Sequence, residues 1–338
     1  MVMKKSALYK IFAVAMAVSL VILSLTACGG DQPESVTDIL DRGDVATDSE
    51  QNQGTDAAAE NLLDEEKMFT DRDLRGDYDE SESIAITLTG GSASCSSSGV
   101  TASGNTVTIT QEGVYILSGN LEGMIIVDAP DSAKIQLVLK EAQIDNAANA
   151  AIYVKKADKL FITLAEDTQN MLSSKSYENL DGNNIDGTIF SKCDLTINGS
   201  GSLTVEAGQG NGIVTKDDLV VAGGVITVAA DKHGLEGKDS VRIADGQLNI
   251  TAGKDGIHSE NNDDQEKGYV YAAHGNLNIT SDGDGISAGY CLQLDGGNFS
   301  IVSGGGSNNQ NPICGIHITL LLIIIILRVD TILTRRDT

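Results

Sequence analysis

The chain has 338 residues, of which 48 are acidic and 23 are basic, so its formal net charge at neutral pH is −25. This excess of carboxylates excludes nucleic acid as a natural partner, because a phosphate backbone is bound through Lys and Arg. Aromatic residues make up 4% of the chain and Trp is absent, whereas Gly contributes 37 residues. The balance is typical of a β-rich repeat and argues against a ligand site built on stacked indole rings.

The first predicted element is a signal sequence over residues 1–27. Lysines precede an apolar run over residues 11–25, which is shorter than the roughly 20 residues of a membrane span. The run ends in LTAC, residues 25–28, which matches a bacterial lipobox. We therefore expect lipid on Cys28 to hold the mature protein at the extracellular face of the cell membrane, as its only membrane attachment. An ordinary signal peptide with an incidental cysteine is the alternative.

Residues 28–80 are predicted to form a disordered acidic linker. Between positions 31 and 80 the chain has 17 acidic and 4 basic residues, few large apolar side chains and no hydrophobic period. Such a segment cannot bury enough apolar surface to offset the entropy of ordering. Only its end, Met68 to Tyr78, is expected to lie against the domain that follows.

Aliphatic residues then recur in three columns with a step close to 22 residues. The columns are Ile189, Ile213, Leu235, Ile257 and Ile286; Leu195, Leu219, Val241, Val270 and Leu292; and Leu203, Ile226, Leu248, Leu277 and Phe299. Three columns in one register predict three short strands per repeat, and stacked repeats bury a continuous interior. The sequence therefore predicts an all-β, parallel β-helix over residues 81–306, with a β-sandwich as the disfavoured alternative.

Residues 307–338 leave this repeat. We interpret them as an atypical tail that replaces the native C-terminus after a frameshift or truncation, with a genuine capping strand as the alternative.

Cys193 and Cys291 fall four coils apart, about 19 Å at 4.8 Å per coil, which is too far for a disulfide. Cys95 and Cys314 lie outside the aligned coils, so a disulfide between them is neither predicted nor excluded.

One coil is longer than the others. The step from Ile257 to Ile286 is 29 residues, so the extra residues must bulge out within Glu260 to Lys267. Oxygen donors from neighbouring coils are expected to meet at this bulge, where they suit Ca²⁺. The alternative is a set of corner residues that bond their own backbone. The candidate ligands are Asp255, Glu260, Asn261, Asp263, Asp264, Asp282 and Asp284.

Residues 84–306 resemble the bacterial carbohydrate-binding family of right-handed, pectate-lyase-like parallel β-helices. The resemblance rests on GVYILSGNLEGMIIVDA (113–129), DKLFITLAEDTQN (158–170), IFSKCDLTINGSGSLTV (189–205), NGIVTKDDLVVAGGVITV (211–228), and DGIHSENNDD with SDGDGISA. It implies a calcium-carrying protein that binds polygalacturonate and cellulose.

The predicted outward positions supply candidate binding residues. Arg242 and Tyr271 are expected on neighbouring coils, where a guanidinium fork beside a ring suits a carboxylate. The full set of candidates is Arg242, Tyr271, Lys238, Lys254, Asn249 and Asn278.

From these observations we expect a monomeric, non-catalytic, lipid-anchored protein that binds acidic plant polysaccharide, pectin above all, with Ca²⁺. Two alternatives remain open. One is a calcium-dependent pectate lyase whose base comes from a stacked lysine pair, Lys232 with Lys254 or Lys216 with Lys238. The other is a structural surface protein or adhesin.

Overall fold

The computed structural model describes residues 63–264, 266–304, 316–318 and 330–335. The predicted signal sequence, the lipidation site Cys28 and residues 28–62 of the predicted linker lie outside the described residues. Within the part of the chain that is described, no helix is long and apolar enough to cross a membrane.

The regular secondary structure of the described chain is almost entirely β-strand. One short helix, α1 (Glu65–Met68), precedes the strands. In chain order the strands are β1 (Ile84–Gly90), β2 (Ala93–Ser94), β3 (Val100–Ser103), β4 (Thr106–Ile109), β5 (Gly113–Leu121), β6 (Met124–Asp128), β7 (Lys134–Asn146), β8 (Ile152–Lys156), β9 (Lys159–Leu164), β10 (Gln169–Ser174), β11 (Gly187–Ser191), β12 (Asp194–Gly199), β13 (Ser202–Ala207), β14 (Asn211–Thr215), β15 (Asp218–Val221), β16 (Val225–Ala230), β17 (Leu235–Gly237), β18 (Ser240–Ile243), β19 (Gln247–Ala252), β20 (Ile257–Ser259), β21 (Tyr269–Ala272), β22 (Asn276–Ser281), β23 (Ile286–Ala288), β24 (Cys291–Leu294), β25 (Asn298–Ser303), β26 (Ile316–Ile318) and β27 (Asp330–Arg335).

These strands stack into three parallel ladders, which confirms the predicted parallel β-helix. Face 1 contains β4, β6, β8, β11, β14, β17, β20, β23 and β26. Face 2 contains β9, β12, β15, β18, β21 and β24, and face 3 contains β10, β13, β16, β19, β22, β25 and β27. Each coil therefore adds one strand to each face.

The long strand β7 joins faces 2 and 3. Its first half pairs with β9 and its second half with β10, and the chain bends between them at Glu141, whose φ is 58°. Strand β5 pairs with β7 along both halves, and β1 in turn pairs with β5. The earlier, less regular coils are thus part of the same solenoid.

The three predicted columns are confirmed as in-register ladders. In face 3, for example, Leu248 lies opposite Ile226 on one side and Leu277 on the other, and all three side chains are buried. Alternation explains why: in β19 Leu248 and Ile250 point inward, whereas Gln247 and Thr251 are exposed. Burial of each such aliphatic side chain stabilises the fold by about 2 kcal/mol, and the coils share one core.

Residues 63–78, here called the strap, contradict part of the disordered-linker prediction. The strap runs along the outside of face 2, and it makes contacts from the last coils to the first. Its hydrogen bonds join Leu63 to Gln293, Met68 to Arg242, Asp73 to Thr196, Arg75 to Asn198 and Asp77 to Gln136. The expectation that Met68 to Tyr78 lies against the domain is confirmed. The prediction of disorder is wrong for residues 63–78, because outward polar groups of face 2 bind the strap backbone.

Two short segments of the tail continue the ladders. Strand β26 pairs with β23 on face 1, and β27 pairs with β25 on face 3. The prediction that the repeat stops at residue 307 is therefore wrong for these segments, and the frameshift interpretation stays a hypothesis. Cys193, just before β12, and Cys291, the first residue of β24, are free and buried, and the two strands are four steps apart on face 2, as expected; Cys95 is also free.

Candidate functional site

The outward side of face 2 is occupied by the strap. Arg242 and Tyr271 do lie side by side on neighbouring strands. Tyr271 is fully buried, however, with its ring centroid 5.9 Å from that of Phe69. The Arg242 guanidinium donates to the carbonyl of Met68 at 3.0 Å and pairs with Asp218. The prediction that they present a free fork to a sugar carboxylate is wrong, because both side chains contact the strap.

The outward side of face 1 is partly covered by the loop of residues 175–186. Ile185 of this loop packs in one apolar cluster with the aromatic part of an outward column. In sequence order that column is Tyr153, Phe190, Val214, Glu236, His258 and Ser287. Along this column the side chains change from apolar to polar between Val214 and Glu236, and a charged corner lies beside the polar part.

At this corner a carboxylate lies between two histidines. Oδ2 of Asp255 is 3.4 Å from Nδ1 of His233 and 3.0 Å from Nδ1 of His258. The two imidazole rings are stacked, with centroids 4.4 Å apart. Burial and the neighbouring His258 lower the pKa of His233 to about 4, so its imidazole is neutral at neutral pH. Burial alone would raise the pKa of Asp255, but contact with His258 and the backbone N–H of Asp284 lowers it.

Further charged groups surround this trio. Glu236 is buried, accepts a hydrogen bond from Asn211 at 3.1 Å and forms an ion pair with Lys216 at 2.8 Å. Burial acts to lower the pKa of Lys216, but Glu236 outweighs it and the pKa is raised. The pKa of Asp186 is raised by burial and then by the charge of Glu236. Lys232 acts on Asp186 and Lys254 acts on His233 in the sense opposite to Glu236, so charges of both signs meet at this corner.

The seven predicted calcium ligands do not meet at one place. Asp255 and Asp284 occupy the corner before β20 and β23, where the backbone N–H of Asp284 donates to Asp255 at 2.9 Å. Residues 260–264 instead follow β20, at the other end of that strand. There Asn261 accepts from the backbone N–H groups of Asp263 and Asp264, the turn chemistry considered as the alternative. Asp282 is exposed, two residues before Asp284. The prediction of a single cluster is wrong, because β20 separates its two halves.

A different carboxylate group does assemble at the start of face 2. Oxygens of Asp194, Asp217 and Asp218 come within 4.8 Å of one another. Burial raises the pKa of Asp217 to about 6, aided by the charge of Asp194 and by a hydrogen bond with Asp239. The pKa of Asp194 is raised as well, first by burial. Sequence reasoning missed this group, although Asp194 and Asp218 are in register with the second predicted column.

Face 3 is neither under the strap nor under the 175–186 loop. Its outward column is polar at all but one position along eight neighbouring strands: Asn120, Gln143, Met171, Thr204, Thr227, Asn249, Asn278 and Ser300. The predicted pair Asn249 and Asn278 lies in this column, and the Asn278 amide donates to the Asn249 side-chain oxygen at 3.0 Å. These two residues are accessible, as predicted.

A groove of about 640 Å³ opens at the first coils of this face. Met171, 36% exposed, supplies an apolar patch in it, and Lys175 pairs with Asp145 at 3.3 Å. The amides of Asn120 and Gln143 and the hydroxyl of Ser173 complete its wall. This mixture of apolar surface with donors and acceptors suits a sugar ring.

The two predicted lysines lie at different corners. Lys254 follows the end of β19 on face 3, next to Lys232 on the preceding coil, and its side chain is exposed. Lys238 is also exposed, but it follows β17 of face 1. The six predicted binding residues are thus dispersed: Arg242 and Tyr271 lie together on face 2, Asn249 and Asn278 lie together on face 3, and the two lysines lie at separate corners.

Comparison with known proteins agrees with this architecture. A family model described as carbohydrate-binding domain-containing protein matches residues 103–320. A relative of that description from Acetivibrio thermocellus is 48% identical over 175 residues, which span 51% of this chain and 61% of the relative. The aligned part is thus less than two thirds of the relative's length.

A solved structure shows the same fold. The polysaccharide lyase-like protein from C. thermocellum, determined as a gadolinium derivative, is 32% identical to this chain. The superposition covers 75% of this chain and 97% of that one, with a TM-score of 0.63.

Proposed function

The chain belongs to the family of carbohydrate-binding domain-containing proteins, and from this premise we propose that it holds a polysaccharide along face 3. The observation that supports this assignment is the long outward column of amides and hydroxyls from Asn120 to Ser300. Neighbouring strands are about 4.8 Å apart, so donors and acceptors recur at a distance similar to the length of one sugar residue. Faces 1 and 2 offer no such row, since a loop and the strap lie on them.

The proposed ligand is acidic plant polysaccharide, polygalacturonate above all, with cellulose as the neutral candidate. A chain of net charge −25 repels a polyuronate. A divalent cation bound to the protein must therefore offset part of this repulsion, whereas a neutral glucan needs none. Dependence on a cation thus separates the two ligand classes.

The proposal includes a bound calcium ion. Asp194 and Asp217 fit a cation, because their oxygens lie within 4.8 Å of each other and both carboxylates are partly buried, which raises their pKa values. Asp218 is already engaged by Arg242 and by Ser240, which donates to it at 2.6 Å. The calcium dependence is therefore best tested with Asp217→Asn, with the exposed Asp263→Asn as the control.

Retention of the purified protein on immobilised polymer tests the binding face. Asn249→Ala with Asn278→Ala should weaken retention about tenfold, since two hydrogen-bonding amides are removed from the surface. The matched control is Asn262→Ala, an exposed amide in the loop after β20. Equal retention of wild type and double variant, both folded, would show that face 3 is not the binding surface.

A chelator separates the ligand classes in the same assay. We expect retention on polygalacturonate to be lost with a chelator and restored by Ca²⁺, and retention on cellulose to be unaffected. Polygalacturonate binding that survives chelation contradicts the proposed cation dependence. The cell-surface location is tested by labelling with a fatty acid analogue, which Cys28→Ala should abolish.

Lyase activity is the second candidate, and the charged corner beside β20 is the observation that favours it. A lyase needs a base to remove the proton next to the uronate carboxylate. Lys216 is poorly suited to this role, since Glu236 raises its pKa and keeps it protonated. Formation of unsaturated product from polygalacturonate, followed by its ultraviolet absorbance, would establish the enzyme instead of the binder.

A further inference from the structure

The corner before β20 brings together three residues of the kind that bind transition metals. Strand pairing places Leu235 opposite Ile257. His233 and Asp255, each two residues earlier, therefore stack on adjacent coils, and His258 follows Asp255 by three positions on the same side. Their donor atoms all lie within 4.8 Å of one another.

We propose that His233, Asp255 and His258 form a binding site for a transition-metal ion of the zinc class. Zinc in proteins is tetrahedral with ligands at about 2.0–2.1 Å, so two of its ligand atoms lie roughly 3.4 Å apart. The distances from Asp255 Oδ2 to the two Nδ1 atoms, 3.4 and 3.0 Å, match such an edge. An ion can therefore be accommodated with only small side-chain shifts.

The donor atoms are available for a metal. Nδ1 of His258 is buried, and it faces Oδ2 of Asp255, the other atom that the metal would bind, at 3.0 Å. Nδ1 of His233 accepts one long bond, 3.3 Å from the backbone N–H of Asp255. The other oxygen of Asp255, Oδ1, accepts from the backbone N–H of Asp284, which leaves Oδ2 for the metal and holds the carboxylate in place.

The surroundings include a carboxylate that favours a cation, and they keep one coordination position open. The charge of Glu236 acts on His233 against that of Lys254, and Lys216 is already paired with Glu236. The three ligand side chains are between 14% and 22% exposed, so solvent reaches them. The fourth position of a tetrahedral ion would thus take water or a carboxylate oxygen of a ligand. Two nitrogen donors select zinc, copper or nickel over calcium, so this site is distinct from the proposed calcium dependence.

Titration of the purified full-length chain with Zn²⁺ and Co²⁺ tests the proposal without any polysaccharide. We expect one Zn²⁺ per chain, and a visible Co²⁺ spectrum of tetrahedral type without a thiolate charge-transfer band. His258→Gln and Asp255→Asn should each weaken Zn²⁺ binding at least about tenfold. The control is His274→Gln, an exposed histidine at the corner before β22, which should bind as wild type does.

Several outcomes would overturn the site. They are the absence of saturable Zn²⁺ binding, a thiolate band that assigns the metal to cysteine, or unchanged affinity in a folded His258→Gln protein. Displacement of Zn²⁺ by equimolar Ca²⁺ would indicate a site of oxygen donors and would also contradict the proposal. Circular dichroism of each variant shows that it is folded. If Asp255→Asn fails to fold, the partly exposed His258 still provides the decisive variant.

Discussion

The carboxylate of Asp73 lies 2.8 Å from the ammonium of Lys159, and both side chains are almost wholly removed from solvent. Thr196 donates a hydrogen bond to the same carboxylate. These contacts hold the middle of the strap on face 2, between the anchors at Met68 and Asp77. The strap is thereby an integral part of the fold.

Replacement of this carboxylate should release the strap. Asp73→Asn removes the ion-pair partner of Lys159, whose side chain is 12% exposed, and loss of one partner of a buried pair costs about 3 kcal/mol or more. We expect a lower free energy of unfolding in denaturant and faster proteolysis at Arg72 and Arg75. The exposed Asp71→Asn is the matched control and should behave as wild type. Unchanged proteolysis of Asp73→Asn would mean that the apolar contacts of Met68 and Phe69 suffice.

The same pair should make stability sensitive to acid. Burial alone would raise the pKa of Asp73, but Lys159 and Thr196 outweigh it and lower the pKa from 3.8 to about 2. The stabilisation is therefore complete above pH 3.8 and is lost as the pH falls through 2. It amounts to about 2 kcal/mol. Denaturant unfolding at several pH values should show that wild type loses this increment and that Asp73→Asn does not.

Asp217 should show the opposite pH dependence. Its pKa in the folded chain is raised to about 6 by burial, by Asp194 and by Asp239, so it favours folding only while it is protonated. That contribution falls as the pH rises from about 4 to 6, and above pH 6 the ionised group destabilises the fold. In the presence of a chelator, Asp217→Asn should therefore melt at a higher temperature than wild type above pH 6.

The advantage of Asp217→Asn should shrink as the pH is lowered toward 4. Asp263→Asn, in an exposed loop, should shift the melting temperature little at any pH. If Asp217→Asn is instead less stable than wild type at neutral pH, the ionised carboxylate of Asp217 stabilises the fold, and the prediction is contradicted.

Gly199 should not tolerate a side chain. It has φ of 92°, and a Cβ atom would lie 2.3 Å from the carbonyl oxygen of Leu164 on the neighbouring strand. Gly199→Ala should cost roughly 3 kcal/mol, since left-handed strain and a backbone clash add together. Gly104→Ala is the control: its φ is 57°, but the space around it is open, so only about 1 kcal/mol is expected. Equal melting temperatures for the two variants would contradict this account.

Neighbouring residues of β19 should differ sharply in their effect on stability. Leu248→Ala empties a fully buried position of the third ladder and should cost about 2–5 kcal/mol. Asn249→Ala lies on the open side of the same strand and should cost less than about 0.5 kcal/mol. Chemical denaturation of both variants checks the expectation, and it also shows whether Asn249→Ala is a fair variant for the binding assay. A similar loss in both would mean that the outward column is structural.

Much of the solenoid could be predicted because the positions of its aliphatic residues fix the pairing register of its strands. Each coil must place Leu, Ile or Val at the same three inward points, so the step from Ile213 to Leu235 to Ile257 counts coils directly. Outward residues carry no such constraint. The sequence shows that Arg242 and Tyr271 point outward, but not that a segment some 170 residues earlier, at Met68, lies on them.

The candidate sites were harder to predict for a related reason. Asp255 precedes the three residues of β20 and Glu260 follows them, so the two residues lie at opposite ends of that strand. Spacing along the sequence does not show where the chain bends. His233 and His258 could have been found by aligning DKHGLEG with GKDGIHS, since that alignment puts His233 over Asp255.

The sequence by itself determined the parallel β-helix, its coil length and its interior, because burial of aliphatic side chains repeats with the coil and dominates the free energy of folding. Only the tertiary structure decided which face stays open, where the strap lies and which charges meet at a corner. Those features depend on single ion pairs and hydrogen bonds between distant segments, such as Asp73 with Lys159, and such contacts leave no period in the chain.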